Sequence, residues 1–452
     1  MRREQLTGER DTIAALATPP GRGGIGVVRV SGPRVERIAR SVIGRLPAPR
    51  VATYCEFHDA RGEAIDEGIA LYFDAPNSYT GEAVLELQGH GGPVVMQTLV
   101  GACLDAGARL AEPGEFTRRA FLEGRLDLTQ AEAVADLIDA SSREAARSAL
   151  RSLRGEFSAA VDRLVERLTE LRALTEAMLD FPEEDIESFY REDALRRLTD
   201  VRAQLEATLA SSQQGSILRA GIHVVIAGQP NVGKSSLLNR LAGEDRAIVT
   251  PIPGTTRDAL RELVHIEGVP VNLVDTAGVR ETKDEVEQLG VERTWRELSR
   301  ADVVLLVVDA TAGVSREDEE IVARLPRDGT LIRAFNKADL LPPGARAPRA
   351  DSSRDVHVSA LTGAGVSTLA KEILRAAGWA SSGETVFIAR ERHLRALKAA
   401  RAHLEDAAAR LSEWELFAEE LRQAQAFLSE ISGEFTADDL LGEIFGRFCI
   451  GK

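Results

Sequence analysis

Cysteine is scarce in this chain. Cys55, Cys103 and Cys449 are three in 452 residues, an odd number with no CxxC spacing. That argues against a disulfide framework and a structural zinc site, and leaves reduced thiols as the natural reading. Long apolar runs are also missing. No window approaches ~18 consecutive apolar residues, so no membrane span is expected. The stretch MRREQLTGERDTIAALATPP has basic residues but no apolar core of signal-peptide length, and its acids speak against a transit peptide. The expected address is the cytoplasm. Positive charge is in deficit: 56 Lys and Arg against 71 Asp and Glu give a net charge of −15. Such a chain is not a generic nucleic-acid binder. If it acts on RNA, a local basic patch or a basic partner has to carry the contacts.

What is present suggests several domains. A length of 452 residues with 44% hydrophobic content is enough for about three ordinary cores. Over residues 11–120, short apolar strands such as GIGVVRVSG and EAVLELQG alternate with helical stretches, punctuated by Gly and Pro. From Leu126 to about Gln214 the texture becomes Ala-, Leu-, Glu- and Arg-rich, with apolar residues at i, i+3, i+4 and i+7, as long amphipathic helices require. At Gly221 alternating strands and helices begin, and from Gly383 the helical texture returns. The expected plan is multidomain, α+β and α/β. It comprises an N-terminal mixed domain (1–123), a helical domain in two parts (124–215 and 381–452), and an inserted nucleotide domain with a mostly parallel sheet (216–380). Two separate helical bundles are the alternative. Short amphipathic helices need neighbours, and each half is an obvious neighbour for the other.

The inserted segment carries the strongest motifs. In IHVVIAGQPNVGKSSLLNRL, Gly228 to Ser235 fit G-x-x-x-x-G-K-S between a strand and a helix. Asn231, Val232, Gly233, Lys234, Ser235 and Ser236 line such a loop, whose N–H groups and helix N-terminus cradle phosphates. Lys234 is expected to reach the β and γ phosphates, and Ser235 to ligate Mg²⁺. Thr250, Pro251, Ile252, Pro253, Gly254, Thr255 and Thr256 form the loop TPIPGTT, in which Thr255 and Thr256 can supply the hydroxyl that binds Mg²⁺ and senses the γ-phosphate. Asp275, Thr276, Ala277 and Gly278 follow the strand VPVNLV. Asn336, Lys337, Ala338 and Asp339 end the strand LIRAF, and Ser359, Ala360 and Leu361 follow DVHV. A carboxylate at Asp339 accepts two hydrogen bonds from the guanine edge, which adenine lacks, so GTP is expected over ATP. Together these resemble the five G motifs of the translation-factor class of P-loop GTPases. The position after DTAG, where Ras-like proteins place a water-orienting Gln, is Val279, and no arginine finger is evident. Asn231 could help seat a monovalent cation that replaces a finger, an effect on the order of 10³–10⁵ for the finger itself. The alternative is that Asn231 only shapes the loop.

Outside this block, Arg29 in VVRVSG and Glu86 in VLELQG are charges within apolar strands, and each must find a partner. Either they pair with each other, or they form a pocket in which the carboxylate meets an amino-pyrimidine edge and the guanidinium an anionic tail. GHGG at 89–92 reads as a turn and helix start rather than a metal site. The ending CIGK is not a standard prenylation box.

The segments DTIAALATPPGRGGIGVVRVSG, PNSYTGEAVLELQGHGGP, PGEFTRRAFLEGRLDLTQAEAVADLIDA, the GTPase block and SGEFTADDLLGEIFGRFCIGK together resemble the MnmE (TrmE) family of tRNA modification GTPases, in order over almost the whole chain. The resemblance implies an N-terminal folate-binding and dimerisation domain, a discontinuous helical domain and an inserted G domain, in a homodimer. It implies potassium-stimulated GTP hydrolysis coupled to G-domain dimerisation. It also implies installation of a carboxymethylaminomethyl or aminomethyl group at C5 of the wobble uridine of certain tRNAs. The partner would be MnmG, which carries the FAD, and the one-carbon unit would come from 5-formyl- or 5,10-methylene-tetrahydrofolate. By the same resemblance Arg29, Glu86, Arg125 and Lys452 would contact folate. Asn231, Thr250, Ile252 and Thr255 would hold K⁺, Ser235 and Thr256 would hold Mg²⁺, and Glu287 would be the catalytic glutamate. Pro251 and Pro253 are expected to stiffen the potassium loop without removing its carbonyls. Cys449 would lie near the folate pocket, in a positional or a chemical role.

Two rival functions fit part of the chain. A regulatory GTPase of ribosome assembly explains the G motifs but not the two ends. A folate-dependent one-carbon enzyme acting on small metabolites explains the ends but makes the GTPase merely regulatory.

Overall fold

The structure is a computed structural model describing residues 11–180, 187–243, 261–275, 301–323, 330–342, 354–380, 386–433, 438–446 and 448–451. Contacts divide the chain into two units, Met1–Ala135 with Ala426–Lys452, and Asp136–Gln425.

The first unit is built on a sheet of β1 (Ile13–Leu16), β2 (Gly26–Ser31), β3 (Thr53–His58), β4 (Ala64–Phe73), β5 (Val84–Gly89) and β6 (Arg109–Leu110). The strand order is β3-β4-β5-β2-β1-β6, antiparallel except for β1 with β6. Helices α1 (Val35–Ile43) and α2 (Pro93–Asp105) cover one face. α1 buries Val35, Ile38, Ala39, Val42 and Ile43, a single stripe at helical period, and stops at Gly44 with φ 74°. Pro93 opens α2 at a position where its missing N–H costs nothing. Val28 and Val30 face these helices, so the alternating Arg29 and Ser31 face the other side. There Ile13, Ala15, Ala111 and Phe116 form a second small core beneath α3 (Glu115–Leu122). The C-terminal helix Asp438–Gly446 packs Leu441, Ile444 and Phe445 against Leu128 and Ala131 of α4 (Leu128–Ile138).

The second unit joins helices to the nucleotide domain. α5 (Arg143–Leu153), α6 (Glu156–Asp180) and α7 (Glu187–Ala220) precede that domain, and helix Glu391–Ala409 follows it and packs on α7. The nucleotide domain has strands β7 (Ile222–Ala227), β8 (Arg261–Ile266), β9 (Val269–Asp275), β10 (Val303–Asp309), β11 (Thr330–Asn336) and β12 (Asp355–His357). Their order is β12-β11-β10-β7-β9-β8, parallel except that β8 runs against β9. Val224, Ile226, Leu305 and Val307 fill one face and Val225, Val304, Leu306 and Val308 the other, as a sheet covered on both sides requires.

The two chain crossings into this domain are held together. α7 runs directly into β7 through Gly221 (φ 73°). Asp136, at the end of α4, receives Arg219 Nε at 2.9 Å from the entering strand of chain and Arg390 Nη2 at 2.9 Å from the leaving one. The Ser148 hydroxyl of α5 donates to the Val386 carbonyl at 2.7 Å, and Gln214 on α7 bonds both Gly378 O and Ala380 N at 2.9 Å. Gly215 lets the leaving segment cross α7: a Cβ there would lie 1.5 Å from the Phe387 carbonyl oxygen.

Candidate functional site

The phosphate loop runs from the end of β7 into α8 (Lys234–Ala242). Its glycines are required by close approach. A Cβ on Gly228 (φ 136°) would lie 2.2 Å from the Val307 carbonyl oxygen, and one on Gly233 (φ 95°) 2.3 Å from Asn336 Nδ2. Asn231 sits in the left-handed region at φ 64°, which Asn tolerates better than most residues, and it is exposed. Lys234 Nζ donates to Gly228 O at 2.8 Å and Gln229 O at 2.9 Å, so its ammonium lies over the loop it is expected to serve. This glycine-backed cradle, with a lysine over it and a helix N-terminus beneath, fits a polyphosphate.

The base-recognition segments reach the same end of the sheet. Asn336 ends β11 and is buried. Its Nδ2 donates to Val232 O at 2.8 Å and its Oδ1 accepts from Ala360 N at 3.0 Å, tying phosphate loop to base loop. Lys337 takes φ 63°, and Ala338 N bonds Val358 O at 3.1 Å, so the short 3₁₀ turn Ala338–Leu340 presents Asp339 to solvent. The Ser359 hydroxyl accepts from Thr362 N at 3.0 Å, and Arg240 of α8 donates from Nε to Ala360 O at 3.1 Å and from Nη2 to Leu361 O. Two residues that sequence reasoning missed complete the site. One is Arg240; the other is Asp309, the last residue of β10, which receives Lys337 Nζ at 2.7 Å. Bonds from Lys337 and the Thr311 hydroxyl hold the Asp309 carboxyl down to about 2. The signal for Asp309 was a lone carboxylate closing the apolar run VVLLVVD.

Asp275 ends β9 beside Ile226 of β7. Thr250, Pro251, Ile252, Pro253, Gly254, Thr255, Thr256, Thr276, Ala277, Gly278, Val279 and Glu287 lie outside the described residues, as does Lys452. Of the proposed potassium ligands only Asn231 is therefore described, and of the magnesium ligands only Ser235. Among the described residues no group of three His, Cys, Asp or Glu is placed to hold a metal, and no helix is long and apolar enough to cross a membrane.

On the first unit, Arg29 and Glu86 are direct cross-strand partners and form an ion pair, Nε to Oε1 2.9 Å and Nη2 to Oε1 2.8 Å. The guanidinium lies 5.8 Å from the ring centres of both Tyr79 and Phe116, and its Nη1 is 3.4 Å from Gly451 O. The chain end reaches this place because Ile450 bridges to Pro113 and Gly451 (φ 98°) has no side chain; a Cβ would sit 2.2 Å from Leu16 O. Cys449, next to it, is exposed, whereas burial pushes the Cys103 thiol up to about 12. Arg125 is exposed on the turn after α3. His90 opens onto solvent, with its Nδ1 2.8 Å from Asp66 Oδ1.

The family described as the MnmE helical domain matches residues 128–449, and that described as GTP-binding protein TrmE N-terminus matches residues 12–125. The chain is 59% identical over 442 residues to the tRNA modification GTPase MnmE of Thiobacillus denitrificans, covering 98% of each. It is 60% identical over 445 residues to the same-named protein of an Azoarcus species, again covering 98% of each. Among solved structures, Aquifex aeolicus Era is 31% identical over 40% of this chain and 66% of its own, with a TM-score of 0.30.

Proposed function

We propose, for a chain that belongs to the MnmE family of tRNA modification GTPases, that GTP hydrolysis is potassium-stimulated and drives modification of the wobble uridine at C5. In this reading the chain is a cytoplasmic homodimer that works with FAD-bearing MnmG and draws a one-carbon unit from a tetrahydrofolate derivative. The observation that supports its nucleotide part most directly is Asn336, which joins the phosphate loop to the base loop at one sheet end.

Each residue then has a task. The loop N–H groups and Lys234 receive the phosphates. Asp339 takes the N1–H and amino group of guanine, while Asp309 holds the Lys337 beside it in place. Ser235 and Thr256 would hold Mg²⁺, and Asn231, Thr250, Ile252 and Thr255 would hold K⁺; bound there, these cations offset charge that develops on the phosphates. Glu287 orients the attacking water, a task that Val279 cannot perform. Ordering of residues 250–256 would favour G-domain pairing, and the clamp at Asp136 offers a stiff route from that event into the helices. On the first unit, the Arg29–Glu86 pair, whose guanidinium lies 5.8 Å from the Tyr79 and Phe116 ring centres, would form the folate site with Arg125, after α3, and Lys452.

The test is the initial rate of GTP hydrolysis in potassium against sodium at matched ionic strength, with Asn231→Ala and Glu287→Ala alongside. The rate is expected to fall in sodium, the preference for potassium to vanish in Asn231→Ala, and Glu287→Ala to be slow in both salts. Equal wild-type rates in the two salts would refute the potassium mechanism.

A further inference from the structure

An acidic protein that acts on tRNA has to meet a polyanion somewhere, and α5 presents a face of arginines. α5 carries Arg143, Arg147 and Arg151, and Arg154 forms its C-cap. At 3.6 residues per turn these four side chains fall within an arc of about 80° and a row about 16 Å long. The opposite arc holds Ala145, Ser148, Ala149 and Ser152, all buried. Arg143, Arg147 and Arg154 are exposed and Arg151 is half-buried. From 145 to 155 the chain reads AARSALRSLRG, without a single carboxylate. The one acid of the helix, Glu144, lies at the edge of the arc; among the described residues its ion pair is with Arg147, at 3.6 Å, the Arg147 side chain 68% and the Glu144 side chain 41% exposed. Solvent screens a pair that open and leaves the arginine face positive. Among the described residues Arg143, Arg151 and Arg154 enter no ion pair.

The face is held rigidly. The Ser142 hydroxyl caps the helix by accepting from Ala145 N at 3.1 Å. Ser148 and Ser152 anchor its buried side to the Val386 and Ile388 carbonyls, on the segment that leaves the nucleotide domain.

We propose that the arginine face of α5 is a docking surface for the sugar–phosphate backbone of tRNA. Guanidinium forks match phosphate oxygens in pairs, and a row made of arginine alone is the choice for that geometry. In a chain with 15 excess negative charges, a positive row with a single acid at its edge lowers repulsion where the RNA lies and fixes its register, without reading bases. The proposal rests on the reading that this chain itself contacts tRNA.

The experiment is tRNA binding to the full chain by fluorescence anisotropy across a potassium chloride series, wild type against a variant with Arg143, Arg147, Arg151 and Arg154 all changed to Gln. GTP affinity and the thermal melt report folding. Each phosphate contact contributes about 0.7–0.9 to the slope of log K against log salt, so the slope is expected to fall by about 3. If the fourfold variant melts early, Arg147→Gln with Arg154→Gln, both at exposed positions, should remove about half of that. A wild-type slope in a folded variant overturns the proposal while leaving tRNA binding intact. Absence of wild-type binding overturns both the proposal and the reading beneath it. Loss of affinity for the flavoprotein partner with an unchanged tRNA slope assigns the face to a protein instead and equally overturns it.

Discussion

The two six-stranded sheets of this protein handle polar chemistry in opposite ways. In the mostly parallel sheet of the nucleotide domain the central strands are apolar on both faces, and the site residues gather at the strand ends, where Asn336, Asp309 and the phosphate loop meet. In the antiparallel sheet one face is given to helices, and the other carries charges in mid-strand: Arg29 with Glu86, and nearby the buried Glu82, which takes Ser31 Oγ and Arg119 Nη1 at 2.9 Å each. A sheet buried on both sides admits charge along its strands only at the edge, where Arg333 of β11 pairs with Asp355 of β12 at 2.9 Å, so its ligands bind beyond the strand ends. A sheet with one free face can hold a charge there, provided each charge has a partner.

Breaking the strand-end arrangement should have the largest effect. Asn336→Ala leaves the buried Val232 carbonyl and Ala360 N–H without their partner, at about 1–3 kcal/mol each. A loss of about 2–4 kcal/mol in denaturant unfolding is expected, together with at least ~10-fold weaker GTP binding. Unchanged melts and unchanged nucleotide titrations would mean that the sheet end assembles without this amide. The mid-strand pair should matter less. Breaking a fully buried ion pair costs about 3–5 kcal/mol, but these side chains retain 21% and 17% exposure. Arg29→Ala is therefore expected to cost about 1–2 kcal/mol. The double change Arg29→Ala with Glu86→Ala should recover part of that loss in a mutant cycle; strictly additive losses would show that the two charges do not depend on each other.

The smallest effect belongs to a pair outside both sites. The hydrogen bond to Asp66, and then its charge, raise the His90 pKa above the ordinary histidine value. Because the folded value is the higher one, the stabilisation is full below about 6.5 and is lost as pH rises through the folded value. Asp66→Asn should move the His90 titration, followed by NMR, to lower pH. A midpoint that stays in place would remove the Asp66 explanation.

Much of the nucleotide site is local in the chain and so was legible in it. The G-x-x-x-x-G-K-S spacing, the strand before it and the helix after it lie within twenty residues, and backbone geometry alone makes such a segment a phosphate cradle. The same holds for the turn that presents Asp339. The partners of Arg240 and Asp309 were not legible: a lone carboxylate closing VVLLVVD marks Asp309, but nothing in α8 or at the end of β10 says which loop will arrive beside it. Arg29 and Glu86 announced themselves as charges needing partners, but the sequence left open whether each would find the other.

The sequence by itself determined periodicities and loop chemistry: where helical texture runs, and which loop carries the spacing of a phosphate cradle. Only the tertiary structure decided who meets whom. Arg29 finds Glu86 57 residues away and Gly451 422 away, and Asp136 joins Arg219 and Arg390 from 83 and 254 residues away. Periodicity is set by bond geometry within a few residues, whereas these meetings depend on strand order and register, which the packing of the whole core selects.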